Sequence, residues 1–248
     1  MKHHFIDRYS DLKSPVHELN TTLKLILAVI FVISTVLQHE IPGYKFFLIF
    51  FILLIFVLIS RIPLTFFLKN LLILLPFAII GGLSILFAKS GDSYYQILFG
   101  LKIYQNALSN FKLVLEKSII SVSTIILFVS TTRFDQTLKS FQDLRVPSII
   151  ISLLSFIYRY VFLIIDEFMR TKLAILSRSK GKMTLNTWAY MVSKAFIRSI
   201  ERSEQIYISM KARGYNGTIK TLNNERFTSG DGIKFIMSIF LIFLIWKL

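Results

Sequence analysis

Apolar residues fall in long blocks divided by short polar stretches. Leu23–Leu37, Phe46–Ile59 and Leu64–Ala88 are the first three blocks. Gln38-His39-Glu40-Ile41-Pro42-Gly43 separates the first two as a turn, and Arg61 and Pro63 close the second. A membrane-crossing helix needs about 20 mostly apolar residues. The blocks therefore predict three spans, the first extended by Thr21, Thr22 and the snorkelling stem of Lys24. Pro76 is tolerable in a membrane helix whose neighbours satisfy the freed carbonyl, and Gly81-Gly82 would let another helix come close. Lys89–Asn106 reads as a polar connection whose Tyr94, Tyr95 and Tyr104 suit the membrane interface. Leu108–Val129 is a fourth block. Lys112 and Glu116 in its first half sit four apart and can pair on one face, with Lys117 beside them, as interfacial turns rather than an ion path.

The pattern changes at Thr131. Phe134, Leu138, Phe141 and Leu144 are spaced by four, three and three, which predicts a short amphipathic helix. Pro147 can start the next helix. Ser148–Ile165 is apolar, but Arg159 at its middle would be expensive facing lipid, so this stretch is expected to be half-buried rather than a full span. Ile233–Trp246 is the last apolar block, with Trp246 and Lys247 as interface anchors. The resulting division is 1–131 for about four membrane helices, 132–232 for a block of amphipathic helices, and 233–248 for a final span. The fold class is an all-α integral membrane protein with about five transmembrane helices.

Composition narrows the function. Of 248 residues, 54% are hydrophobic and only 17% charged, too little polar surface for a soluble fold of this size. The net charge of +15 would suit nucleic acid or a membrane surface; blocks of bilayer length decide for the membrane. Between Arg159 and Arg226 there are 13 Lys/Arg against five Asp/Glu, which places that region on the cytoplasmic side. The first 22 residues lack the apolar core of a removable signal peptide. Cysteine is absent, so thiolate chemistry is excluded. No phosphate loop, dinucleotide fingerprint or helical zinc-protease motif occurs. His3, His4 and His17 belong to a segment with no predicted element to fix their geometry, so no metal site is expected there.

The region from Tyr158 to Gly217 carries the functional signal. One helix runs through Asp166, Glu167 and Arg170, which read as intrahelical salt bridges, to Ser177-Arg178-Ser179. A second carries Phe196, Ile200, Ser203, Tyr207 and Met210 on one heptad-like stripe and ends at Ala212-Arg213-Gly214-Tyr215. Each tip offers an arginine between small residues. A guanidinium so placed can reach into a partner's groove and fork onto a carboxylate or onto carbonyls. The plainer alternative is helix capping, since Gly commonly follows a helix end and Arg there favours the dipole. Two such tips in a basic cytoplasmic block imply two equivalent receptors, such as an ATPase dimer.

Arg198-Ser199-Ile200-Glu201-Arg202-Ser203-Glu204, followed by Tyr207, Met210 and Ala212-Arg213-Gly214-Tyr215-Asn216-Gly217, resembles the transmembrane T component of energy-coupling factor (ECF) importers, the CbiQ/EcfT family. The cobalt-type CbiQ branch is most similar. Asp7-Arg8-Tyr9, Ser14-Pro15-Val16-His17-Glu18-Leu19 and Lys24-Leu25 resemble that branch's N-terminal motif, and Pro147 and Tyr158-Arg159-Tyr160 its coupling-helix region. Ser177-Arg178-Ser179 departs from the usual Ala-Arg-Gly. The resemblance implies a transmembrane scaffold that works with two ABC-type ATPases and a separate substrate-binding membrane S component. Ser177, Arg178, Ser179, Ala212, Arg213 and Gly214 would dock the ATPases, and Phe196, Ile200, Tyr207 and Met210 would form the coupling-helix stripe. ATP and Mg would bind the partners, so the chain itself would hold no cofactor and be no enzyme. The cobalt-type N-terminus tilts the substrate toward a divalent metal, cobalt or nickel, with vitamins left open. The location implied is a bacterial or archaeal cell membrane, with the coupling module cytoplasmic. A stand-alone secondary transporter or channel is the alternative; it would want charged groups near mid-membrane facing a pathway. A membrane-embedded hydrolase would need clustered His, Asp or Glu at a membrane face, which the sequence does not offer.

Overall fold

The computed structural model describes residues 9–10, 12, 14–38, 42–86, 94–97, 101–178, 184–217, 232 and 238. These form two compact units, divided between Ser140 and Phe141. The expected last span, 233–248, and Ser179 lie outside the described residues, apart from Ser238.

The first unit holds α1 (Thr21–Leu37), α2 (Gly43–Ile59), α3 (Leu64–Leu86) and α4 (Gln105–Thr131). By length and composition α3 and α4 can cross a membrane. With 17 residues each, α1 and α2 reach about 25 Å, short of a hydrocarbon core of about 30 Å. The connection before α4 is not wholly irregular. Tyr94–Ile97 (β1) and Leu101–Tyr104 (β2) pair antiparallel, with Tyr94 opposite Tyr104 and Ile97 opposite Leu101. Aromatic and β-branched residues favour such a ladder, which a reading of the stretch by its polarity did not reveal.

Helix α4 packs against α1, α2 and α3. Ile120 meets Ile49 and Leu53, while Ile126 joins Val57, Ile62, Phe67 and Leu71. In a bilayer, helices associate through close packing and polar bonds, because lipid tails are as apolar as leucine. Gly82 provides the close packing. A Cβ there would lie 2.8 Å from the Phe111 ring, whereas one at Gly81 would meet nothing within 4 Å. Only one of the two glycines therefore serves helix approach.

Lysines provide the polar bonds. Lys24, near the start of α1, donates 3.2 Å bonds to the carbonyls of His17 and Thr131, the latter ending α4. Lys117 of α4 donates a 2.7 Å bond to the carbonyl of Val36, near the end of α1. Each ammonium thus sits on the other helix's negative C-terminal end. Lys24 is buried, so its head is a cap and does not snorkel. Lys112 and Glu116 pair as expected, at 3.8 Å, with the carboxylate largely buried.

The segment before α1 is fixed to this staple. Asn20 caps α1 by accepting from the Thr22 N–H at 3.0 Å. The Tyr9 ring lies 4.5 Å from that of Phe66, centroid to centroid. The His17 ring spans the turn: Nε2–H donates to the Tyr9 carbonyl at 3.0 Å, and Nδ1 accepts from the Ser14 hydroxyl at 2.7 Å. A carbonyl can only accept, which fixes the tautomer. The segment is thus ordered at His17, against the expectation of no fixed geometry. Burial pushes the His17 pKa below its ordinary value. The Tyr9 carbonyl opposes this shift, the Lys24 ammonium adds to it, and the Ser130 carbonyl opposes it.

A depressed histidine pKa means that the folded state holds the imidazole neutral. The stability it contributes is full above the ordinary value of 6.5 and is lost as pH falls through the lower folded-state value. Between about pH 7.5 and about pH 5 the wild-type Tm in detergent should fall further than that of His17→Gln. Equal losses would show that His17 does not titrate with folding.

Candidate functional site

The second unit is built on α6 (Ser148–Arg178) and α7 (Leu185–Ala212), preceded by α5 (Phe134–Asp143), which crosses the boundary between the units. Gln136 starts α5 by accepting the Arg133 N–H at 3.2 Å, half of a capping box. Of the apolar face predicted for α5, Leu138 is buried, while Leu144 lies beyond the helix and is exposed.

The apolar block after Pro147 and the charged stretch through Arg178 form one continuous helix of 31 residues, about 46 Å long. By length and composition it can cross a membrane. Thr184 caps α7, its hydroxyl accepting from the Thr187 N–H at 3.3 Å.

Contacts along α6 and α7 run in opposite order, so the two form an antiparallel hairpin. Trp188 lies 6.3 Å from Phe168, ring to ring, and Lys172 sits over the same indole at 5.7 Å. Midway, Arg198 donates a 3.0 Å bond to Glu167, whose other oxygen is 3.8 Å from Arg202. Glu167 therefore bridges helices, which corrects the expectation that it pairs along α6 with Arg170. At the far end the Tyr215 ring meets Phe156 edge-on, 6.1 Å between centroids. Between these last two contacts lies an apolar cleft of about 260 Å³.

The expected docking residues occupy both ends of this hairpin. Ser177 and Arg178 form the exposed last turn of α6, where the Ser177 hydroxyl bonds back to the Leu173 carbonyl at 2.9 Å. Ala212 is the last residue of α7, Arg213 its exposed cap, and Gly214 has φ +84°. The α7 end is a Schellman turn: Tyr215 N–H reaches the Met210 carbonyl and Gly214 N–H the Lys211 carbonyl, each at 3.0 Å. Capping accounts for Gly214, which the left-handed φ favours, and for Tyr215, which lines the same cleft as Met210. It gives the Arg213 charge only the general attraction of the helix C-terminal dipole. Among the described residues neither Arg213 nor Arg178 has a side-chain bond or ion pair.

The stripe divides in two. Phe196, Ile200 and Tyr207 are exposed, Phe196 by 66%, and Leu185 and Val192 extend that face toward the helix start. Met210 lines the cleft, as do Ser203 and one edge of Tyr207. The residues of α7 turned toward α6 lie a step to the side: Ser199, Arg202, Ile206 and Met210. Sequence reasoning missed Ile206, the Glu167 bridge and the Tyr215–Phe156 contact. Arg198 and Arg202, four apart, signalled an acid facing them; nothing local signalled which one. Among the described residues no three His, Asp or Glu could hold a metal, and both His17 ring nitrogens are occupied within the chain.

Comparison with known proteins returns one family over most of the chain. The family model for CbiQ, cobalt transport protein, matches residues 12–223. An uncharacterised protein of Methanocaldococcus jannaschii is 29% identical over 99% of this chain and 92% of its own length. A putative fused cobalt transport protein CbiMQ of Methanocorpusculum labreanum is 26% identical over 90% of this chain and 38% of its own length. An energy-coupling factor transporter transmembrane protein EcfT of Staphylococcus aureus is 24% identical over 87% of this chain and 85% of its own length.

The cap geometry makes its own prediction. A side chain at Gly214 would strain the left-handed turn by about 1–2 kcal/mol. Gly214→Ala should speed hydrogen exchange of the Arg213–Tyr215 amides by about tenfold, and Gly214→Asn by less. Unchanged exchange in the Ala variant would show that the turn does not hold the tip.

Proposed function

Because the chain belongs to the CbiQ family of cobalt transport proteins, membrane components of ECF transporters, we propose that it is the coupling subunit of such an importer. It joins ATP hydrolysis by two ABC-type ATPases to a separate substrate-binding membrane subunit. Its cargo is a divalent metal, cobalt or nickel; the family's association with cobalt transport and the fused cobalt transport relative CbiMQ support cobalt. The chain carries no catalytic residue in this reading, and ATP and Mg belong to the partners.

One observation carries the proposal. Two exposed arginines, without side-chain partners among the described residues, stand at opposite ends of the α6–α7 hairpin. The 28 residues of α7 separate them by about 40 Å. Two tips that far apart cannot share one groove; they suit two grooves on a paired receptor. A guanidinium is the right head for such a joint, because it forks onto carboxylates or carbonyls and cannot lose its charge. The exposed face of Phe196, Ile200 and Tyr207 is then available to the substrate-binding subunit. The hairpin faces the cytoplasm, where the ATPases are. Lys24 and Lys117, two charges open to use by a stand-alone carrier, are committed to helix-end carbonyls.

Charge reversal tests the joint. Arg178→Glu or Arg213→Glu should weaken ATPase co-purification well over tenfold, since losing one hydrogen-bonded interface charge costs about 2–5 kcal/mol. Both arginines are exposed, so the membrane fold should survive. Arg213→Lys should also be impaired, because an ammonium lacks the planar fork. Lys220→Glu and Arg226→Glu, outside either tip, are the controls. Equal loss in tips and controls would reduce the arginines to bulk charge, and no loss in any would leave capping as their whole role.

A further inference from the structure

We propose that Tyr215 is a positioning residue that passes movement of the Arg213 tip to α6 through its edge-on contact with Phe156. This rests on the coupling role proposed above and adds the contact through which it runs. Tyr215 follows the tip by two residues and is tied to it by the Schellman turn, so the ring moves with the arginine. Its target, Phe156, lies in the first, apolar third of a helix that can cross the membrane.

Alternative routes between the two helices near this tip are poor. Among the described residues the nearest ionic contact is Glu167 with Arg198 and Arg202, nearly three turns from the end of α7. Between it and the tip the helices flank an open cleft of about 260 Å³, lined by Tyr160, Leu163 and Ile164 on one side and Ser203, Ile206 and Met210 on the other, and closed at the tip end by Phe156 and Tyr215. Packed side chains transmit displacement because they leave no gap; across the open cleft the two helices lack that direct packing. Phe156 in turn stacks near Tyr160, 6.2 Å between centroids, which spreads a push from Tyr215 along one more turn of α6. Helix capping requires only an apolar residue at this position. Transmission requires the ring.

The test uses the full transporter complex. The chain has no cysteine, so Ile157→Cys, exposed beside Phe156, can carry a single spin label. In the otherwise wild-type complex, ATP should change the label's spectrum. With Tyr215→Ala or Phe156→Ala, ATPase co-purification and hydrolysis should stay within about twofold, while the ATP-dependent spectral change falls at least fivefold. Tyr215→Phe keeps the ring and should keep the change. The double alanine variant should lose no more than either single one, because both remove the same contact. Should the alanine variants fail to assemble, Tyr215→Leu keeps the apolar cap without the ring and should still lose the change. An unaltered ATP response in Tyr215→Ala or Tyr215→Leu, with the wild type responding, overturns the contact alone. So does parallel loss of ATPase binding and response, which would make Tyr215 merely part of the tip. A wild-type chain that brings down no ATPase overturns the coupling role, and this proposal with it.

Discussion

Every helix ends with carbonyls that have no partner within the helix, and in a bilayer there is little water to satisfy them. The solutions to this one constraint organise the chain. In the membrane unit, α1 and α4 close each other's C-terminal ends with Lys24 on Thr131 and Lys117 on Val36. Elsewhere the chain turns back on itself. Arg61 after α2, Arg145 after α5 and Gly214 after α7 take left-handed φ values of 56°, 60° and 84°, each followed by a backbone bond to the last turn. Two of these three positions carry a side chain and bear the strain. The third is glycine, and it is the one beside an arginine with no partner of its own.

In the proposed coupling role, that arrangement would turn a structural requirement into a functional one. A helix end finished by its own backbone leaves the adjacent side chain uncommitted among the described residues, and the proposal gives Arg213 to another protein. The hairpin behind it must then be stiff enough to carry force. The Glu167 bridge adds little stability, because its arginines are 45% and 47% exposed and such pairs contribute about 1 kcal/mol or less. It sets register: Glu167 meets Arg198 and Arg202 only in one alignment of α6 against α7. The rings at either end of the hairpin, Trp188 with Phe168 and Tyr215 with Phe156, hold that alignment.

Much of this was legible in the sequence because membrane physics writes in long blocks. Apolar runs gave the helices, the run of lysine and arginine gave the cytoplasmic face as an expectation, and Lys112 with Glu116 was readable from a spacing of four. Pairings between distant segments were not. Local charge placed Glu167 with Arg170, yet its carboxylate crosses to Arg198 because a bridging acid is chosen by the packing of two helices. Residues 148–165, expected to be half-buried rather than a full span, belong to a helix that by length and composition can cross a membrane, since Arg159 is one exposed side chain in an otherwise unbroken helical pattern. The hairpin of β1 and β2 was hidden in a stretch judged by polarity alone. Ser177-Arg178-Ser179 and Ala212-Arg213-Gly214 were found from sequence as helix ends; that Arg178 and Arg213 stand at opposite ends of one hairpin follows only from the contacts between α6 and α7.

The central claim is that the chain works as a joint between two ATPases and a membrane partner. The most direct measurement is the mass of the intact complex purified, through a tag on this chain, from the membrane that makes it. The account predicts one copy of the chain with two ATP-binding subunits and one further membrane protein. A chain recovered alone, or only with copies of itself, while still moving metal ions would contradict it.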